Sequence, residues 1–191
     1  MASVEYYFCL NSPWSLFAAE QLLRVRSDHD FDLIVKPIEI ARLFDETGGL
    51  PLKKRSPNRQ TYRLQELTRW SQRLGIPINL HPAHYPCNEA FADALVLSAE
   101  KEKGQGLEMA ISIGRGLWCE DADIADPDFI ASQAEKFGLS AVLDQTQSTR
   151  VLAENTAKLI EKGGFGVPTF IVGEQVFWGQ DRIDFLIEAL S

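Results

Sequence analysis

The segment VEYYFCLNSPWSLFAAEQLLRV, residues 4–25, decides the fold of this 191-residue chain. Its first seven residues are β-branched, aromatic and almost uncharged, which predicts a buried strand over residues 4–10. Ser12 is a favourable N-cap and Pro13 suits the first position of a helix, after which apolar residues recur at helical spacing. A buried strand therefore leads directly into an amphipathic helix.

The rest of the chain continues this α/β pattern after a long interruption. Residues 31–38, FDLIVKPI, predict a second strand, parallel to the first because a helix connects the two. Helical periodicity then dominates residues 55–162, and two short apolar runs at 168–172 and 175–178 predict a hairpin before a final helix. The order β-α-β, helical insertion, β-β-α is typical of a thioredoxin-like fold with a large all-helical insertion.

This order also predicts how the chain is divided. Residues 1–45 and 163–191 are expected to form the thioredoxin-like domain, and residues 46–162 the helical insertion domain. A chain of this length can bury one sizeable core, so a domain with an insertion is more economical than two independent domains.

Charge and cysteine content exclude several classes of protein. A net charge of -8 disfavours nucleic-acid binding, because phosphate recognition needs a clustered positive surface. The three cysteines are far apart and form no C-x-x-C pair, and the histidines have no zinc spacing, so neither a disulfide framework nor a metal site is expected. Without an apolar membrane span or a leader-like start, the sequence predicts a cytoplasmic protein that does not associate with membranes.

Ser12 is the first candidate for chemistry. It lies where a strand meets a helix, and unpaired backbone N–H groups and the helix dipole favour negative charge at such a position. A hydroxyl without a nearby base is a poor nucleophile, so we interpret Ser12 as a hydrogen-bond donor to a sulfur of a substrate or cofactor. An ordinary N-cap is the alternative.

Four segments in order carry a family resemblance: FCLNSPWS (8–15), RQTYRLQELTRWSQRLGIPI (59–78), GVPTF (166–170) and FWGQDR (177–182). Together they resemble the 2-hydroxychromene-2-carboxylate isomerase family, which shares its fold with DsbA-type oxidoreductases and kappa-class glutathione transferases. The resemblance implies glutathione as the cofactor, with Ser12 as the catalytic residue that holds its thiolate. It also implies a small aromatic carboxylate as substrate and a possible homodimer.

The resemblance further implies the glutathione contacts. A cis peptide bond is implied between Val167 and Pro168, and the backbone there would pair with the cysteinyl part of glutathione. Gln180 and Asp181, at the start of the last helix, match the positions that hold the γ-glutamyl end. Gln180 departs mildly from the family pattern, in which Asn or Ser is frequent.

One further glutathione contact depends on where a gap is placed in the loop before the Tyr62 helix. Either Lys53 or Asn58 matches the family's position there, and we favour Asn58. The same region, residues 53–73, is rich in Lys and Arg, so Arg55 and Arg59 are candidates for binding the substrate carboxylate. A solvated basic helix face is the alternative.

Aromatic residues beside Ser12 are the candidates for a substrate pocket. Trp14, Tyr85, Trp118 and Trp178 have suitable side chains, although buried aromatic residues more often belong to the core. Phe8 and Trp14 are the preferred substrate contacts because they flank Ser12 in the sequence. The competing functions are a glutathione transferase and a non-catalytic glutathione-binding protein. Dithiol chemistry needs two cysteines at the helix start, where this chain has Ser12 and Ser15.

Overall fold

Four strands form one mixed sheet in this computed structural model, which describes residues 2–190. They are β1 (Ala2–Phe8), β2 (Phe31–Pro37), β3 (Thr169–Val172) and β4 (Gln175–Trp178), in the order β2-β1-β3-β4. β1 is parallel to β2 and antiparallel to β3, and β3 and β4 form the predicted hairpin. β1 ends at Phe8, short of the predicted residue 10, because the Ser12 N–H donates to the Cys9 carbonyl and turns the chain toward the first helix.

Eight α-helices lie within residues 2–190: α1 (Pro13–Val25), α2 (Ile40–Thr47), α3 (Pro57–Leu74), α4 (Ala90–Lys103), α5 (Gly106–Cys119), α6 (Pro127–Lys136), α7 (Gln145–Glu161) and α8 (Ile183–Leu190). Short 3-10 turns lie at Leu52–Lys54 and Gln180–Arg182. The predicted thioredoxin-like fold with helices inserted between β2 and β3 is confirmed. No helix within residues 2–190 has the length and apolar character that crossing a membrane requires.

The inserted helices share a core with the sheet. Residues of β1, α1, α4 and α5 belong to one buried cluster, and the fully buried Trp118 of α5 lies within it. α2 runs to Thr47, so the predicted domain boundary at residues 45 and 46 falls inside a helix. The domain division stays a prediction, but the packing joins both parts around one interior.

Aromatic stacking holds the end of β1. The Tyr6 ring stacks on Phe8 at 4.9 Å between ring centroids and on Phe170 of β3 at 5.5 Å. The buried Tyr6 hydroxyl donates to the Ser15 carbonyl of α1 at 2.7 Å. These contacts tie β1 to both β3 and α1, so the loop of residues 9–12 leaves a well-anchored strand.

Candidate functional site

Ser12 caps the N-terminus of α1, as the sequence predicts. Its backbone is extended, Pro13 follows at the first helical position, and its hydroxyl oxygen accepts the Ser15 N–H at 3.3 Å. The Ser12 hydroxyl donates no hydrogen bond to another residue within 2–190, so its Oγ–H is free to donate to a ligand. The first turn of α1 contains no acidic residue. The site therefore offers a hydroxyl donor and the positive end of a helix dipole to an anion.

The loop that precedes β3 lies at the same end of the sheet as Ser12. Tyr7 of β1 pairs with Thr169 of β3, so continuing the register by one residue brings Pro168 opposite Phe8. The Val167–Pro168 peptide bond is cis. The Val167 side chain is half-buried, and its backbone N–H and C=O form no hydrogen bond with another described residue. Val167 therefore has an unpaired backbone N–H and C=O at the end of the sheet where the Ser12 loop lies.

Asn11 fixes the position of the Ser12 loop, a role that local sequence patterns do not predict. Its backbone N–H and its side-chain amide donate to the two carboxylate oxygens of Glu89, at 2.8 and 2.6 Å. The Asn11 amide also donates to the Cys87 carbonyl at 2.9 Å and accepts from the Cys87 N–H at 3.1 Å. Nothing in the local pattern links residues 78 positions apart, so only the folded chain reveals this clamp.

Glu89, which is half-buried, and Asp93, which is buried, form an acidic pair next to the same loop. Burial raises the pKa of both carboxyl groups, and the charge of Glu89 raises that of Asp93 further. The donors from Asn11 act in the opposite direction at Glu89. Asp93 lacks such donors, and its Oδ1 has no hydrogen-bond partner. Of the two carboxyl groups, Asp93 is therefore the one whose burial is not offset by hydrogen-bond donors, so its protonated form is favoured.

The 3-10 turn at Gln180–Arg182 contains the two residues expected at the γ-glutamyl end. Gln180 is only 4% exposed, and its side-chain oxygen accepts from Gln21 of α1 at 2.8 Å. Its side chain therefore anchors the turn to α1, and its role at the γ-glutamyl end stays a prediction. Asp181 is exposed and pairs with the adjacent Arg182 at 2.8 Å. Such a surface pair contributes at most about 1 kcal/mol, so a ligand ammonium can displace it.

Two of the expected substrate or cofactor residues lie on the solvent side of α3. Asn58 and Arg59 are exposed in its first turn, and no hydrogen bond or ion pair joins either side chain to another residue within 2–190. Lys53 is exposed in the preceding 3-10 turn. Arg55 is half-buried, and its Nε donates to the Leu50 carbonyl at 2.8 Å. The roles of these residues stay predictions.

Phe8 does not line an open pocket. Its side chain is 1% exposed and stacks on Tyr6 within the core, so the expectation of direct substrate contact is wrong. It lines a small cavity together with Ser12 and Ser15. Trp14 remains accessible: it is half-buried on α1 and packs edge-to-face against Phe17 at 5.9 Å.

Tyr85 and Trp118 form an aromatic pair near the Ser12 loop, with Trp118 fully buried and Tyr85 half-buried. Their ring centroids are 4.9 Å apart, and the Trp118 Nε1–H donates to the Leu10 carbonyl at 3.0 Å. The side chain of Arg63, on α3, interacts electrostatically with Tyr85. Local sequence patterns predict neither the contact between the two aromatic rings nor the half-buried position of Arg63.

The cysteines are all reduced and poorly suited to nucleophilic chemistry. Cys9 is fully buried, and burial raises the pKa of its thiol well above the ordinary value. Burial also raises the pKa of Cys119, and that of Cys87 to about 12. Within the described residues, no group of three or more His, Cys, Asp or Glu side chains is arranged to hold a metal ion.

The fold and the Ser12 loop define a thioredoxin-like protein that has serine at the helix start. The model of the DSBA-like thioredoxin domain matches residues 3–191. The chain therefore belongs to the family of DSBA-like thioredoxin domains.

Relatives of known activity are similar over nearly the full length. The chain is 27% identical to 2-hydroxychromene-2-carboxylate isomerase of Pseudomonas putida, over 98% of this chain and 94% of the relative. It is 25% identical to glutathione S-transferase kappa 1 of Homo sapiens, over 99% and 91% of the two chains. A solved structure of 2-hydroxychromene-2-carboxylate isomerase superimposes with a TM-score of 0.76 at 25% identity, covering 98% of this chain and 94% of the other.

Proposed function

We propose that this protein is a glutathione-dependent isomerase that interconverts 2-hydroxychromene-2-carboxylate and trans-o-hydroxybenzylidenepyruvate, a reaction of aromatic catabolism. The observation that carries the proposal is the free Ser12 hydroxyl proton at the N-terminus of α1. The isomerases and glutathione transferases among the relatives support an enzyme of this kind.

The residues of the chain fit glutathione at two points. The unpaired backbone N–H and C=O of Val167 suit β-type pairing with a peptide. Asp181 is exposed and held only by a surface ion pair, which suits it to bind the ammonium of the γ-glutamyl group. Glutathione bound there would supply a thiol that adds reversibly to the conjugated double bond of the substrate, so that the former double bond can rotate before the thiol leaves.

The chain's own residues would stabilise the negative charge of the thiolate and keep other negative groups away from it. The Ser12 Oγ–H would donate to the sulfur and favour the thiolate, and the helix dipole acts in the same direction. Asn11, held by Glu89, keeps Ser12 at the end of β1. The absence of acidic residues from the first turn of α1 avoids repulsion of the thiolate.

Calorimetry with glutathione on the wild type and on Asp181→Ala tests the cofactor site. We expect Asp181→Ala to weaken binding about tenfold, the loss of one charge-assisted hydrogen bond. Asp184→Ala, which removes another exposed aspartate three residues further along, is the matched control and should bind like the wild type. Failure of the wild type to bind glutathione would refute the proposal.

An ultraviolet assay with 2-hydroxychromene-2-carboxylate tests the catalytic role of Ser12. Ser12→Ala should lower kcat by about 100-fold or more, as expected for loss of a donor to developing charge. Because this variant also loses an N-cap, Asp144→Ala is the control: Asp144 caps α7 by accepting the Gln147 N–H at 2.8 Å. It should lose similar stability and keep full activity.

A kappa-like glutathione transferase is the second candidate, favoured by the similarity to that class. Product analysis separates the two functions: a transferase consumes glutathione and releases a conjugate, whereas the isomerase returns it unchanged. Tight glutathione binding without turnover of either kind would instead indicate a non-catalytic glutathione-binding protein. We also propose a cytoplasmic homodimer, and light scattering on the purified protein tests the dimer.

A further inference from the structure

Gln21 of α1 fixes the orientation of the Gln180 side chain. The Nε2 atom of Gln21 lies 3.1 Å from the Phe17 carbonyl oxygen, 3.1 Å from the Gln180 carbonyl oxygen and 2.8 Å from Gln180 Oε1. Backbone carbonyls only accept hydrogen bonds, so the Gln21 atom that faces them is the amide nitrogen, and the Gln180 atom that faces it is the amide oxygen. The amide nitrogen of Gln180, Nε2, therefore points away from Gln21.

The Gln180 amide nitrogen is a donor without an acceptor in the chain. Gln180 is 4% exposed, and no hydrogen bond within residues 2–190 uses its Nε2. Among those residues, the fully enclosed side-chain nitrogen and oxygen atoms that lack a partner belong to Ser15, Asp93 and Glu108, so Nε2 of Gln180 keeps an opening to the surface. A nearly buried donor with such an opening is suited to an acceptor on a ligand, because buried polar groups are normally hydrogen-bonded.

Gln180 lies next to the other proposed glutathione contacts. The Gly179 N–H donates to the Pro168 carbonyl at 2.9 Å, which joins the 3-10 turn at Gln180–Arg182 to the Val167–Pro168 loop. A Cβ on Gly179 would collide with Oδ1 of Asp181, so the Asp181 carboxylate lies against Gly179. A free amide donor and an exposed carboxylate therefore occupy adjacent positions beside this loop.

We propose that Gln21 is a positioning residue, which holds Nε2 of Gln180 so that it donates to the α-carboxylate of the γ-glutamyl group of glutathione. Asp181 binds the ammonium, so the two neighbouring side chains recognise the zwitterionic end of the ligand together. This inference rests on the proposed function and adds how the protein selects γ-glutamyl thiols over other small thiols. Because Gln21 lies on the helix that Ser12 caps, α1 also fixes this subsite relative to the serine that faces the sulfur.

Gln21→Met is the principal test, because methionine has nearly the same length and cannot donate a hydrogen bond. Gln145→Met is the matched control: Gln145 is also half-buried, and its Nε2 donates to the Ala90 carbonyl at 3.3 Å, which joins α7 to α4. In calorimetry, Gln21→Met should weaken glutathione binding about tenfold, because the Gln180 amide is then free to turn, whereas Gln145→Met should stay within about twofold of the wild type.

Two analogues of glutathione show which group of the ligand depends on Gln21. The γ-aminobutyryl analogue of glutathione, γ-aminobutyryl-cysteinylglycine, lacks only the α-carboxylate, and glutaryl-cysteinylglycine lacks only the ammonium. Gln21→Met should weaken binding of the glutaryl analogue about tenfold and leave binding of the γ-aminobutyryl analogue unchanged. A general loosening of the turn would instead weaken both.

Turnover, a second variant and the wild type itself extend the test. In the isomerase assay, Gln21→Met should raise the KM for glutathione with little change in kcat, the pattern of lost uniform binding. The double variant Gln21→Met/Gln180→Met should bind glutathione no more weakly than Gln180→Met alone, because Gln21 acts through Gln180. In the wild type, the side-chain NH2 resonances of Gln180 should shift on addition of glutathione and not of the γ-aminobutyryl analogue.

The outcomes separate this inference from the proposed function. Normal glutathione binding by the wild type, with equal affinity in Gln21→Met, would overturn the role of Gln21 and leave the isomerase intact. Equal losses for the two analogues, or a loss in Gln145→Met as large as in Gln21→Met, would show a general effect on the fold and also overturn it. Absence of glutathione binding by the wild type would overturn both proposals. If Gln21→Met does not fold, unshifted Gln180 resonances in the glutathione-bound wild type would overturn the inference.

Discussion

Asp93→Asn is expected to stabilise the protein at neutral pH, by an amount that grows as the pH rises. Asp93 is 4% exposed, and its Oδ1 has no hydrogen-bond partner. Burial raises the pKa of its carboxyl well above the ordinary value, and the charge of Glu89 acts in the same direction. The folded protein therefore tolerates a protonated Asp93 and resists its ionised form.

The sign of the effect follows from proton linkage. Between its pKa in the unfolded state and its raised pKa in the folded state, a carboxyl group binds more protons in the folded protein than in the unfolded one. Through this group, the free energy of unfolding of the wild type falls by about 1.4 kcal/mol for each pH unit across that interval. The interval begins near the ordinary value of 3.8 and extends upward. Asparagine has no ionisable proton. The free energy of unfolding of Asp93→Asn minus that of the wild type should therefore increase with pH, by at most about 1.4 kcal/mol per pH unit.

Urea unfolding of both proteins between about pH 5 and pH 8 measures the difference. Asp45→Asn is the control, because Asp45 is exposed on α2 and water screens its charge. The control should give a difference that hardly changes with pH. An Asp93→Asn difference that is equally flat, or a variant less stable than the wild type near neutral pH, would refute the reasoning.

Three further predictions concern stability and thiol reactivity. Arg115→Met should lower the free energy of unfolding by about 2 kcal/mol, because it leaves the buried Glu20 carboxylate without its ion pair. Adding Glu20→Gln to this variant should restore stability in denaturation experiments, and no recovery would contradict the pairing. Gly116→Ala should lower Tm despite better helix propensity, because a Cβ there would lie 2.7 Å from Cζ of Phe129; an unchanged or higher Tm in calorimetry counts against this packing. Cys87, with its pKa raised to about 12, should react with a disulfide reagent near pH 8 about 1000-fold more slowly than a free thiol. Stopped-flow kinetics on native protein whose other cysteines are changed to Ser would disprove this by showing a free-thiol rate.

The fold was predictable because its signals are local. The buried strand and its Ser12–Pro13 helix start lie in one segment, and the C-terminal hairpin is marked by a turn between two apolar runs. Strand ends were less accurate: the first strand stops at Phe8 because the loop of residues 9–12 turns on a hydrogen bond to the Cys9 carbonyl. Hydrophobic patterning does not encode such a bond.

The candidate site was only partly predictable. Ser12 and Asp181 occupy accessible positions, whereas Phe8 and the side chain of Gln180 turn inward. A residue's type and place along the chain do not determine which face of a strand or turn it occupies relative to the ligand. The unpaired Arg63 was hidden in a run of basic residues that looked uniform in the sequence.

The order of strands and helices and the capped helix start at Ser12 follow from local sequence alone, because they depend on interactions within a few residues. The folded chain alone reveals that Asn11 is held by Glu89, that burial raises the pKa of Asp93, and that Arg63 is half-buried without an ion pair among residues 2–190. Burial and long-range charge control those features, and both arise only when distant segments pack together.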